Sequence, residues 1–279
     1  MIKTSCCNAA ARNLAFMVCV CGLCLTLGCG TGPRTVNPTF DTSVEQAEGL
    51  LRELAEQPKR PDRPILLVGG YFDPTGVEIA GMRKQLEANF GEHNVHAVRY
   101  FAFSNFDRLA AELVQETDDA FGEGTQTDRT VAVDVVALSM GGLVSRHAAL
   151  VGDAERGRTL NIHRLFTAGT PHRGAALATT VSLDALVRDM TPGSGFLERL
   201  EDARPDADYE LVSYVRLGDG IVGEANAAPP GQTPIWVDSM PWHRPHADAL
   251  HDPRLQADIV LRLRGLLPLA RQPHAPLPD

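Results

Sequence analysis

The stretch "DVVALSMGGLVSRHAAL", Asp134–Leu150, decides the reading of the fold. An apolar run ends in a single hydroxyl, Ser139, and a glycine pair follows one residue later. "TVAVDVVAL", Thr130–Leu138, rich in valine, reads as a strand. "GLVSRHAAL" then has the composition of a helix. A strand feeding straight into a helix is the repeating unit of a parallel sheet.

The same alternation extends in both directions. "ILLVGG", Ile65–Gly70, reads as a buried strand and Val77–Phe90 as a helix. "VHAVRYFAF", Val95–Phe103, is the next strand, and Asn105 caps a helix carrying Leu109, Leu113 and Phe121. "RLFTAGT", "YELVSYVRLGD" and "TPIWVDS" add three strands beyond the central stretch. Asp252-Pro253 opens a last helix with Leu255, Ile259 and Leu263 on one side. Ahead of the first strand, "TSVEQAEGLLRELAEQ" predicts a helix over 42–57, with Thr42 and Glu45 at capping-box spacing. "PKRPDRP" ends it. The expected fold is α/β, a mostly parallel sheet flanked by helices with right-handed crossovers. A Leu- and Ala-rich segment at about 175–205 interrupts the order as a small helical cap insertion, giving one domain over 42–267. The Pro-rich residues 268–279 read as a disordered tail.

The chain has 279 residues and a formal net charge of −9. Its first 28 residues hold Lys3 and Arg12 and no acid, so the body is more acidic still. Such a body argues against nucleic acid as a partner, because phosphate binding needs clustered Lys and Arg. All six cysteines lie within the first 29 residues, which excludes a disulfide framework, a cysteine metal site or a thiol nucleophile from the rest. The uncharged run Leu14–Gly28, after Lys3 and Arg12, has the form of a signal peptide over 1–28. It ends in "TLGCG", which resembles a bacterial lipobox with Thr26 where Leu is preferred. The expectation is an envelope protein tethered through lipidated Cys29, with plain secretion as the alternative. Residues 29–41 then form a linker.

Ser139 carries the chemistry. Ala-Leu-Ser-Met-Gly after a strand matches G-x-S-x-G, a sharp strand-to-helix turn that presents the hydroxyl at the sheet edge. Residues two before and two after crowd together, which asks for Ala137 and Gly141 or something as small. Oxyanion donors are expected from the backbone N–H groups of Met140 and of Tyr71, the latter after the Gly69-Gly70 bend. A serine needs a histidine base, and the histidine needs an orienting carboxylate. Asp219, flanked by Gly218 and Gly220, is the preferred acid, with Asp238 as competitor. His246, several residues before the last helix, is the preferred base, with His243 and His251 as alternatives. The irregular spacing of those three histidines argues against a metal site, and no cofactor is expected. His96, His147 and His163 read as packed or solvated, and His172 in "GTPHRG" as a shaping residue.

Together "PILLVGGYF", "VVALSMGGLVSRHAAL", "LFTAGTPHRGA", "DMTPGSGFLERL", "RLGDGIVGEANAAPPG" and "PHADALHDPRL" resemble the α/β-hydrolase superfamily. Within it the likeness is to secreted bacterial lipases and esterases of the triacylglycerol-lipase and GPI-inositol-deacylase type. The resemblance covers about residues 64–267 and implies Ser139 as nucleophile, Asp219 as acid, His246 as base, and Tyr71 and Met140 as oxyanion donors. Three positions depart from it: Ala137 for the first elbow glycine, Leu138 where His is usual, and Gly69 where a His-Gly pair is common. The implied activity is hydrolysis of lipid or other acyl esters through an acyl-enzyme. An acyltransferase with the same triad, and a non-catalytic envelope binding protein, are the rival expectations.

Overall fold

The computed structural model describes residues 39–71, 73–100, 104–122, 128–180, 184–238 and 244–270. The expected leader, Cys29 and His243 lie outside them.

Six strands build one sheet: β1 (Ile65–Val68), β2 (Val95–Val98), β3 (Val133–Leu138), β4 (Ile162–Ala168), β5 (Glu210–Arg216) and β6 (Ile235–Val237). Their order is β2-β1-β3-β4-β5-β6, and every pairing is parallel. The helices are α1 (Val44–Glu56), α2 (Val77–Phe90), α3 (Phe106–Phe121), α4 (Met140–Leu150), α5 (Ala185–Asp189), α6 (Gly195–Asp202) and α7 (Pro253–Leu263).

The apolar runs explain the layers. In β1, Ile65 and Leu67 face Leu51 of α1, Met82 and Leu86 of α2 and Ile259 of α7. Leu66 and Val68 face the other way, toward Leu109 and Leu113 of α3 and Leu143 and Val144 of α4. A strand covered on both sides must be apolar at almost every position, as β1 is throughout and β3 is except at Asp134, whose buried carboxylate pairs with Arg164 Nη2 at 2.7 Å. Each such side chain contributes on the order of 1.5–3 kcal/mol by leaving water.

Element ends differ from expectation where local spacing is ambiguous. The capping box of α1 is Ser43 with Gln46, one residue beyond Thr42 and Glu45. Both pairs fit the same pattern, so spacing alone does not choose between them. Strand β2 stops at Val98 because it is an edge strand whose one neighbour, β1, offers four residues to pair. Asn105 and Asp252 cap α3 and α7 as their sequence positions imply, with Pro253 in the first turn. At the start of the Pro-rich tail, Leu269 packs on the core and the Ala270 N–H donates to Asp258 Oδ1 at 2.7 Å. That anchored start corrects the expectation of disorder from residue 268.

The order of strands positions the site. From β1 the chain moves out to β2, then returns to build β3 to β6 on the other side. The reversal leaves a crevice above the carboxyl ends of β1 and β3, where open α/β sheets bind ligands. Gly69, Gly70 and Tyr71 leave β1 there, and Ser139 leaves β3.

Candidate active site

Ser139 has φ 52° and ψ −128° and is the only non-glycine residue with positive φ among those described. Such a backbone costs on the order of 1–3 kcal/mol and persists where its surroundings over-determine it. They do so here. The Ser139 N–H donates to Ala168 O at 2.9 Å, and its carbonyl accepts from the Thr170 hydroxyl at 2.8 Å. Close packing explains the small neighbours. A Cβ on Gly141 would sit 2.5 Å from Gly69 O, and one on Gly142 would collide with Thr170. One on Gly70 would sit 3.1 Å from Ser139 Cβ, so the loop after β1 passes directly beside the serine.

Three distant segments converge on the Ser139 hydroxyl. His246 Nε2 lies 2.8 Å from Ser139 Oγ, and His246 Nδ1 lies 2.8 Å from Asp219 Oδ2. The carboxylate fixes the tautomer: Nδ1–H donates to Asp219, and Nε2 is left to accept the serine proton. Asp219 Oδ1 accepts the N–H groups of Ile221 and Val222 at 2.9 and 3.1 Å, which locks the carboxylate in its turn. Strand β4 ends beneath the pair. A Cβ on Gly169, whose φ is 58°, would stand 3.3 Å from both Asp219 Oδ2 and His246 Nδ1. Glycine suits both the backbone angle and the close approach.

Charge follows from this geometry. Burial pushes the His246 imidazole down, but the charge and hydrogen bond of Asp219, with the charge of Glu78, outweigh it and raise its pKa. Burial pushes Asp219 up, and His246 together with the two N–H donors brings it below the usual carboxylate value. Met140 opens α4, so its N–H has no partner within the helix and faces the same end as the helix dipole. Tyr71 follows Gly70 on the other side of Ser139.

The competing residues that are described, Asp238 and His251, stand elsewhere. Asp238, after β6, does not hold the imidazole that reaches Ser139. His251 Nε2 faces Val77 O at 3.1 Å, which pins the loop before α7 onto α2. His96 meets Glu116 at 2.8 Å, His147 is buried against Asp107 and Phe196, and His163 is exposed. His172 is buried between Arg146 and Thr167.

Several contributors were not singled out from sequence. Thr170 stands two residues past the end of β4, a position on the site edge that is the one signal its sequence context offers. Arg216 Nη1 meets Asp252 Oδ2 at 3.2 Å, and Arg254 binds the same carboxylate through two nitrogens. This buried cluster ties the end of β5 to the start of α7, the elements that deliver Asp219 and His246. A Leu-rich cap segment can line a cleft for an apolar acyl chain. Leu186, Met190, Phe196, Leu197 and Leu200 are instead buried in the core with residues of α3 and α4, and Phe106 stacks on Phe196 at 4.0 Å. That composition serves packing.

A family model described as "Domain of unknown function (DUF7379)" matches residues 34–216. No curated protein matches the sequence. Solved structures do. The lipase BlEst2 of Bacillus licheniformis in mature form is 19% identical, with a TM-score of 0.51 over 77% of this chain and 95% of that one. The phospholipase PlaB of Legionella pneumophila is 14% identical with a TM-score of 0.45, covering 55% of this chain and 38% of its own. This chain therefore spans well under half of that phospholipase. The thioesterase RedJ from the prodiginine pathway of Streptomyces coelicolor is 16% identical with a TM-score of 0.41, covering 73% and 88%. At these identities the likeness is one of fold, and the BlEst2 superposition shows an α/β-hydrolase fold.

Proposed function

The chain belongs to the DUF7379 family, and we propose that this member is a serine hydrolase that cleaves carboxylic esters. The observation that carries the reading is the continuous hydrogen-bonded row Ser139–His246–Asp219 at a strained turn between strand and helix.

In the proposed reaction, Ser139 Oγ attacks the ester carbonyl carbon while its proton passes to His246 Nε2. The carbonyl oxygen becomes an oxyanion and accepts hydrogen bonds from the N–H groups of Met140 and Tyr71. Each such donor is worth about 3–4 kcal/mol of transition-state stabilisation. Asp219 stabilises the imidazolium that forms. Collapse breaks the C–O bond, and His246 returns its proton to the departing alcohol. Water, deprotonated by the same imidazole, then releases the acid from Ser139.

The narrower reading is a lipase or esterase of the cell envelope. Its membrane tether at Cys29 is supported by the apolar run Leu14–Gly28 and the linker that follows. A Cys29→Ser variant is expected in the soluble rather than the membrane fraction. Esters of graded acyl length, assayed with and without a competing alcohol, separate lipid from short-chain substrates and hydrolysis from acyl transfer.

A fluorophosphonate probe tests the central claim. Wild type is expected to label at one site, and Ser139→Ala is expected to lose that label. Folded wild-type protein that fails to label overturns the proposal in favour of a binding protein on a hydrolase scaffold.

A further inference from the structure

The Gly69-Gly70 pair lets the loop after β1 pass close to Ser139, but glycines bring no stiffness of their own. An N–H aimed at an oxyanion has value only within a narrow range, about 2.7–3.1 Å. Something outside the pair must hold the next residue, Tyr71, in place.

The Tyr71 side chain supplies an anchor. Its hydroxyl donates to Asp184 Oδ2 at 2.5 Å, across 113 positions of sequence. The other oxygen, Asp184 Oδ1, accepts the Val187 N–H at 2.9 Å and caps α5. Asp184 is thus fixed by its own helix, and the Tyr71 ring packs against the core layer that holds Leu186 and Met190. A single side chain joins the loop beside the serine to the cap.

We infer that the Tyr71–Asp184 hydrogen bond aims the Tyr71 backbone N–H at the oxyanion, which makes Asp184 a positioning residue of the reaction. The inference rests on the ester-hydrolase reading. Asp184 touches no reacting atom. It acts through the tyrosine, and its effect belongs to the transition state rather than to substrate binding.

Two variants isolate the contact. Tyr71→Phe removes the hydroxyl and keeps the ring. Asp184→Ser keeps an N-cap of equal quality but is too short to reach Tyr71. On a soluble p-nitrophenyl ester, each variant is expected to lower kcat roughly 10- to 100-fold, the scale of a misplacement near 1 Å. KM should stay within about twofold, the pattern of an interaction made in the transition state. The Ki of a trifluoromethyl ketone, which forms a tetrahedral adduct with serine, should rise by the same factor as kcat falls. The double variant should be no slower than the slower single variant, because both remove one contact. Thermal melting of all three checks that the fold is kept.

Folded variants with unchanged kcat overturn the inference. So do losses that multiply in the double variant, or a change confined to KM. In each of those cases a Ser139-dependent wild-type activity leaves the ester-hydrolase reading standing. If wild type shows no hydrolysis that Ser139→Ala removes, the reading and the inference fall together.

Discussion

Two histidines, His246 half-buried and His172 buried, stand at the carboxyl edge of the same sheet, and their neighbours drive them in opposite directions. His246 faces the Asp219 carboxylate, which overcomes burial and raises its affinity for a proton. His172 is buried more deeply, and there burial pushes the imidazole down while the Arg146 and Arg204 charges push it further, well below the ordinary value. Burial by itself thus makes neither ring a base. One imidazole is set to take a proton and touches a hydroxyl that can give one. The other is held neutral: Arg146 Nη1 donates to its Nδ1 at 3.0 Å, so its Nε2–H donates to Thr167.

That contrast should separate activity from stability. The largest effect is expected at the reactive row. Ser139→Ala or His246→Ala should lower kcat by about 10⁶, the scale seen when such a unit loses its nucleophile or base. Asp219→Asn should cost about 10⁴, because it favours the wrong tautomer of the ring. Steady-state kinetics and urea melts should show these losses in proteins that still fold. His172→Ala should do the reverse. It takes one hydrogen-bond partner each from the buried Arg146 guanidinium and the buried Thr167 hydroxyl, with an expected loss of roughly 1–3 kcal/mol in urea unfolding. Its fluorophosphonate labelling should still reach one probe per chain. A folded His172→Ala protein that no longer labels would break the contrast.

The smallest effect concerns pH. In the proposed reaction His246 must be unprotonated to act, so kcat/KM should fall on acidification through a value above the ordinary imidazole pKa of 6.5. Glu78 contributes to that rise from the first turn of α2, in the company of Asp73, Arg244 and Asp248. Glu78→Gln removes a charge that favours the imidazolium, so the acidic limb should move to lower pH. A limb that stays in place, or moves up, shows that Glu78 does not set the base.

How far the site was legible in the sequence follows from the range of each constraint. Ser139 stood out because the elbow is local: Ala137, Gly141 and the flanking strand and helix lie within a dozen residues. The convergence of Asp219 and His246 was readable because strand order dictates which loops share an edge. Contacts between loops had no such signature. Nothing adjacent to Tyr71 indicates that its hydroxyl meets Asp184. The pairing of Arg216 with Asp252 depends on where β5 ends relative to α7. The role of the cap had no local signature either. A run rich in leucine reads alike whether it lines a cleft or fills a core, and packing against α3 and α4 decided for the core.

Behind His172 the polar contacts continue in one sense. Thr167 donates to Ser213 at 3.3 Å, Ser213 to Gln232 at 2.9 Å, and Gln232 to the Leu211 carbonyl at 2.6 Å. A guanidinium keeps its protons at any pH the fold survives. Arg146 therefore dictates the polarity of the whole row, which cannot reverse to ferry a proton toward the cleft. His172 is consequently no understudy for His246.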